Sequence, residues 1–219
     1  RVSEDIEPAK RAIERMVVAY RTAPALIDEL RLQEVYLRQP QPEVRGRVIL
    51  GPGTDCVIES PRSRMIALGD RFYFESESIR SRYVDTPLNR NLAVTMREVM
   101  QTRPGLGWHI NARYGETMDE LFFSLSFGLP EPPTITGYER TTLSDGRDVH
   151  RVTLQAESGW SVLTIDAATD LLLAIDADYE PAGAPIENFR ITRHMRSNAV
   201  VLDELPEPIS FDPRDRTAV

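Results

Sequence analysis

The sequence predicts an α+β chain organised around a long antiparallel β-meander. Three observations carry this. Short strand-like runs between about residues 27 and 85, and again from Thr134, are each closed by Gly, Pro or Asp. The links are too short for parallel crossovers, which need about a dozen residues or more. The N-terminal stretch and the segment between the two strand sets instead repeat apolar residues at three- and four-residue steps.

Residues 4–22 form the first predicted helix. Ile6, Ile13, Met16, Val17 and Tyr20 share one side, filled in by Ala9 and Ala12. Glu4, Asp5 and Glu7 suit the positive end of the helix. Pro8 fits a first turn, and Pro24 stops the helix. Strands then follow in DELRLQEVYLR, VRGRVIL, TDCVIES, RMIAL, RFYFES and SRYVD, with turns at Gly51-Pro52-Gly53 and Gly69-Asp70.

Residues 86–128 interrupt the meander. TPLNRNLAVTMREVMQT offers Thr86 as a helix cap and Pro87 in its first turn. Its apolar side carries Leu88, Leu92, Met96, Val99 and Met100. ETMDELFFSLSFG predicts another helix, with Met118, Leu121, Phe122 and Leu125 on one stripe and Gly128 as a stop. Phe123 and Phe127 lie off the stripe, and a helix apolar on more than one side is covered on more than one side. GLGWHINARYG lies between the two helices. Strands resume in TITGYERTTLSDGRDVHRVTLQAE, with Asp145-Gly146 as a hairpin turn, and end in IENFRITRHMRS and PISFDP.

SVLTIDAATDLLLAID, residues 161–176, contains three aspartates, with Asp178 just beyond. Alternation reads it as a hairpin. Asp166 and Asp170 bracket the turn, where Asp side chains bond nearby backbone amides. Asp176 falls at the far end of the return strand, roughly 20 Å away at strand rise. The four carboxylates therefore do not form one acidic site on this hairpin.

At 219 residues and 41% hydrophobic, the chain can bury a sizeable core, and no composition shift marks a linker. One domain over 1–219 is expected. The net charge of -8 argues against nucleic acid as a partner and against docking on an anionic membrane. No run reaches the ~18 apolar residues of a membrane span. Cys56 is the only cysteine, which excludes an intrachain disulfide, and it reads as a buried structural thiol. The chain starts at Arg1, which reads as a processed or trimmed start. His109, His150 and His194 lack the spacing of a zinc site. GPG and GLG lack the strand–helix context of a phosphate loop, and no Gly-x-Ser-x-Gly elbow occurs. Neither a cofactor nor an enzymatic activity is expected. A hydrolase would need the Asp and His residues to converge in three dimensions.

The hairpin SVLTIDAATDLLLAID resembles a strand–Ile-Asp–turn–Leu-Leu hairpin of the LolA-like superfamily of envelope lipoprotein carriers. AKRAIERMVVAYRTAPALIDEL followed by a meander is similar to that family's opening. So are PRSRMIALGDRFYFES and SRYVDTPL, and the order of elements matches over roughly residues 7–212. The resemblance implies a strongly curved antiparallel sheet, a half-open β-barrel, with helices in or over its concave face. It implies a periplasmic or other extracytoplasmic setting, and a lipid or acylated protein as partner. Similar domains also occur fused to a thioredoxin-like module. The segment 210–219 then reads as the start of a linker, and an alternative role is a protein-binding sensor or scaffold with a self-filled cavity.

The candidate ligand-binding residues are Met96, Met100, Trp108, Phe122, Phe123, Leu125 and Phe127, as cavity lining or lid. Met suits variable apolar ligands because its side chain is flexible and polarizable. The same residues could equally plug the barrel as core. Trp108 and Trp160 read as buried anchors or as lining of the mouth. Arg190, Arg193 and Arg196 read as a solvated strand face, or as cations meeting an acidic head group.

Overall fold

A computed structural model describes residues 6–79, 82–88, 92, 94–95, 108–115, 117–125, 133–181, 189–213 and 217–218. The fold is a curved, unclosed antiparallel sheet with helices over its concave face. Its strands are β1 (Ala25–Tyr36), β2 (Gln39–Pro40), β3 (Val44–Leu50), β4 (Cys56–Ser60), β5 (Ser63–Leu68), β6 (Arg71–Ser76) and β7 (Arg82–Pro87). After the helical segment come β8 (Thr134–Thr142), β9 (Asp148–Ala156), β10 (Gly159–Asp166), β11 (Leu172–Tyr179), β12 (Ile191–Leu202) and β13 (Thr217–Ala218). The order across the sheet is β13-β7-β6-β5-β4-β3-β1-β12-β11-β10-β9-β8, with β2 beside β1. Consecutive strands pair as a meander on each side, and the long β1–β12 ladder joins the two halves. The short parallel pairing of β13 on β7 is the exception to an antiparallel sheet.

Side-chain alternation explains the two faces. Leu26, Asp28 and Leu30 of β1 are buried on the concave side, while Glu29, Arg31 and Gln33 face solvent. On the convex side the register sets Glu29 against Arg47, Arg47 against Glu59, and Glu59 against Arg64. Ion pairs at 3.0 Å (Arg47–Glu29) and 2.7 Å (Arg64–Glu59) follow from it. Opposite charges set directly across strands support that register.

Helix α1 (Glu7–Thr22) has Pro8 in its first turn and buries Ala9, Ala12, Ile13, Met16, Val17 and Tyr20. Every one of these is on the apolar side read from the sequence. GLGWHINARYG contains a second helix, α2 (Trp108–Tyr114), and α3 (Met118–Leu125) follows. The predicted helix over 86–102 lies mostly outside the described residues. Within it Leu92, Val94 and Thr95 are helical, and Leu92 and Thr95 are buried. Thr86 and Pro87 do not cap that helix. They continue β7, with Thr86 opposite Phe72 and Pro87 opposite Arg71.

PISFDP is not a strand. Residues 203–213 run without ladder pairing across the convex face. Phe211 stacks on Tyr73 at 4.0 Å and lies 5.0 Å from Tyr83. Its alternating apolar residues are used as side-chain anchors, not as a pleat. Leu205 and Ile209 come close to Gly51, whose missing side chain leaves room for them.

The Asp166 turn forms as read. Asp166 Oδ1 accepts hydrogen bonds from the Ala168 and Thr169 amides, both at 2.9 Å, and Asp170 adopts φ 57. Asp176 and Asp178 lie at the other end of β11, away from the turn.

Candidate functional site

The concave face carries an unbroken apolar row. The register places Leu32 opposite Met195, Met195 opposite Ile175, Ile175 opposite Leu163, and Leu163 opposite Val152. Met195, Ile175, Leu163 and Val152 are completely buried. A neighbouring row runs Glu34, Arg193, Ala177, Ser161, Leu154, and the next runs Tyr36, Ile191, Tyr179, Gly159, Ala156. Small residues keep this part of the surface shallow. Gly159 cannot carry a side chain, because a Cβ there would lie 2.3 Å from the Asp178 carbonyl oxygen.

The helices cover this face. Trp108, Ile110 and Ala112 of α2 and Leu121 and Leu125 of α3 join the same buried cluster as α1 and the sheet. Tyr20 meets Trp108 edge-on, with centroids 4.9 Å apart, a favoured aromatic geometry. Of the candidate residues, Trp108 and Leu125 are fully buried, and Phe122 is half-buried against the cluster. Met96, Met100, Phe127 and the Phe123 side chain lie outside the described residues. Trp160 is neither anchor nor mouth lining: it stands on the convex face, 36% exposed.

A buried polar network ties the cover to the sheet. His109 Nε2 on α2 donates to Asp28 Oδ2 at 2.7 Å, and both side chains are completely buried. Ser197 Oγ donates to the same oxygen at 2.7 Å, and the Asn198 amide donates to Asp28 Oδ1 at 2.8 Å. His109 also stacks on Trp108 at 3.7 Å. Nothing in the DELRLQ run flagged Asp28 as buried. Its parity with Leu26 and Leu30 is the signal that could have done so.

A second polar chain pins α1. Arg15 donates to His150 Nε2 at 2.8 Å and to Asp170 Oδ1 at 3.0 Å. Arginine can only donate, so His150 Nε2 accepts and the ring is neutral. Its Nδ1–H then points to the Tyr138 hydroxyl at 2.9 Å. Burial, with Arg15 and Arg140 nearby, holds the His150 pKa below the usual imidazole value.

The arginines of RITRHMR separate by face. Arg190 pairs with Asp178 and Arg196 with Asp176, both on the convex side, where His194 Nδ1 also meets Asp176 at 2.8 Å. Arg193 turns inward, pairs with Glu34, and places its guanidinium 5.2 Å from the centre of the Tyr179 ring. The Tyr36 hydroxyl donates to Glu34. Burial pushes the Tyr179 phenol up to about 12, so it remains a hydrogen-bond donor at neutral pH.

Cys56 is buried on the concave side, and desolvation pushes its thiol up to about 12, which makes it a poor nucleophile. In the Asp28 network the Ser197 hydroxyl bonds the carboxylate, not the imidazole. Among the described residues, clefts of about 590 Å³ (lined by Pro24, Pro52, Arg113, Leu205 and Ile209), about 640 Å³ (Arg31, Gln33, His194 and Arg196) and about 570 Å³ (Glu59, Arg62, Arg64 and Glu75) lie apart from the apolar row.

The chain has loose similarities to solved structures, at low sequence identity. It is similar to a LolA superfamily protein from Nitrosomonas europaea, at 10% identity and TM-score 0.38, over 90% of this chain and 94% of that one. It is also similar to a DUF1329 family protein from Desulfovibrio piger, at 12% identity and TM-score 0.38, over 95% and 96%. A putative outer membrane lipoprotein-sorting protein domain from Vibrio parahaemolyticus is similar at 7% identity and TM-score 0.36, over 89% and 93%. These superpositions are loose, and no residue's role is carried across from them. No family model and no curated protein matches the chain. Among the described residues no helix is long and apolar enough to cross a membrane.

Proposed function

We propose that the chain is a non-enzymatic cell-envelope protein that binds an apolar ligand, a lipid or the acyl chains of an acylated protein, on its concave face. One observation carries this reading: a continuous apolar row across five strands lies in one buried cluster with α1, α2 and α3, and α2 and α3 are helices of only 7 and 8 residues. Helices shorter than about 12 residues are marginal alone in water, so these owe their order to the surface beneath them. A cover of that kind can be displaced by a ligand that buries the same surface. The gain is about 25 cal/mol per Å² of apolar area, before ordering costs. Trp108, Phe122 and Leu125 are its described contacts, and Met96, Met100, Phe123 and Phe127 extend the proposed lining. The envelope setting is part of the proposal, motivated by the sequence resemblance.

A second reading is a protein-binding scaffold whose interior stays filled. The complete burial of Trp108 and Leu125 favours it. Phe122→Asp separates the two, because Phe122 packs on the cluster without being sealed in it. The ligand reading expects this variant to lose a fluorescent fatty-acid probe while keeping a cooperative melt. Loss of the fold, or a wild-type protein that never takes the probe, favours the scaffold.

A further inference from the structure

We infer that the Tyr36–Glu34–Arg193–Tyr179 end of the concave face receives the polar head of the ligand, and that this head is an anionic oxyacid, a carboxylate or a phosphate. The inference rests on the concave-face reading above and specifies its ligand class.

The position of Arg193 is the first reason. Arg190, just before β12, and Arg196 on it pair with Asp178 and Asp176 on the convex side, while Arg193 projects from β12 onto the concave face. It lies one row from the apolar stripe of Met195, Ile175 and Leu163, so an acyl chain on that stripe can end at the guanidinium. Its side chain and that of Glu34 are each 20% exposed. Each is therefore in part accessible to solvent, yet desolvated enough to strengthen a charged hydrogen bond.

The chemistry of the cluster is the second reason. A guanidinium presents a planar fork that matches a carboxylate or phosphate. The Tyr179 ring beneath Arg193 holds it by a cation–π contact. Glu34 already supplies a tethered carboxylate to that fork, and the Tyr36 hydroxyl donates to the same carboxylate. Binding an acidic head would exchange one carboxylate for another, with Glu34 turning toward solvent. No covalent step is involved.

Ser161 gives an independent sign. It lies on the same row as Arg193, two strands along, roughly 10 Å away at the usual strand spacing. Its hydroxyl is fully buried and has no hydrogen-bond partner among the described residues. Buried polar groups are normally satisfied. An unmet hydroxyl on the same row as the charged pair points to this row as one where a ligand meets polar groups.

The test compares hexadecanoate, hexadecyl phosphate and methyl hexadecanoate by calorimetric titration of the delipidated full chain, in wild type, Arg193→Gln and Glu34→Gln. In the wild type at least one of the two anions should bind about tenfold more tightly than the neutral ester, the value of one charged hydrogen bond. Arg193→Gln should erase that preference, bringing the affinity of the anions down to about that of the ester. Glu34→Gln should tighten the anions, because it removes their competitor, and it provides the test if Arg193→Gln does not fold. The stronger of the two anions identifies the head as carboxylate or phosphate. Equal binding of acid and ester, or no change in anion affinity in Glu34→Gln, would overturn the head-group assignment alone. Failure of all three ligands to bind the wild type would overturn the concave-face reading itself.

Discussion

Removing the Asp28 carboxylate should be among the most damaging single changes in this chain. Asp28→Ala strips three hydrogen bonds at once, from His109 Nε2, the Ser197 hydroxyl and the Asn198 amide. The Asp28 and His109 side chains are completely sealed from water, so no water takes the place of the carboxylate at His109 Nε2. Breaking a buried, hydrogen-bonded pair by deleting one member costs about 3–5 kcal/mol. For a chain of this size that is a fall in Tm of roughly 6–20 °C, at about 2–4 °C per kcal/mol. The assay is urea denaturation with circular dichroism on Asp28→Ala, and on a thermodynamic cycle of Asp28→Leu, His109→Leu and the double variant. The double variant replaces both partners with apolar groups and should recover part of the loss, giving a coupling of about 2 kcal/mol. Strictly additive effects, or a cost for Asp28→Ala below about 1 kcal/mol, would refute the claim that this pair ties α2 to the sheet.

Two further outcomes follow from the same physics. His150 has a folded pKa below its unfolded value of about 6.5, so between the two the unfolded chain binds more protons. Its contribution is therefore intact above about pH 6.5 and is lost as pH falls through the folded pKa; His150→Gln should flatten that slope in urea midpoints measured between about pH 5 and 7.5. Gly159→Ala would set a Cβ 2.3 Å from the Asp178 carbonyl oxygen and 2.5 Å from Tyr179 Cα, both backbone atoms. It should cost about 1–3 kcal/mol through displacement of β10 against β11, read as a lower denaturation midpoint.

The sheet was legible because its signal is local. Gly69-Asp70, Asp145-Gly146 and the Asp166–Asp170 bracket each set a turn through chemistry confined to a few residues. The alternation between them then fixed which side each residue faces. The errors arose where a short segment met a non-local partner. Thr86-Pro87 reads as a helix start, yet β6 had a free edge and took both residues into the ladder. PISFDP alternates like a strand, but Tyr73 and Tyr83 offered Phe211 a ring stack on the convex face. Helix α2 is too short to show a period. Trp108 and Leu125 were legible as apolar residues of the helical segment, and both are buried in the common core. The polar parts of the candidate site were not, because Asp28 and Glu34 read as ordinary polar strand residues, and their burial depends on His109 and Arg193 from distant segments.

The most direct test of the central claim is organic extraction and mass spectrometry of the gently purified protein, beside native mass spectrometry of the intact chain. The account predicts a stoichiometric acyl-chain compound, released on extraction and visible as a mass increment on the native protein. A protein that is empty in both measurements, and that also fails to take up a fluorescent fatty-acid probe, would contradict it and show a concave face filled only by its own helices.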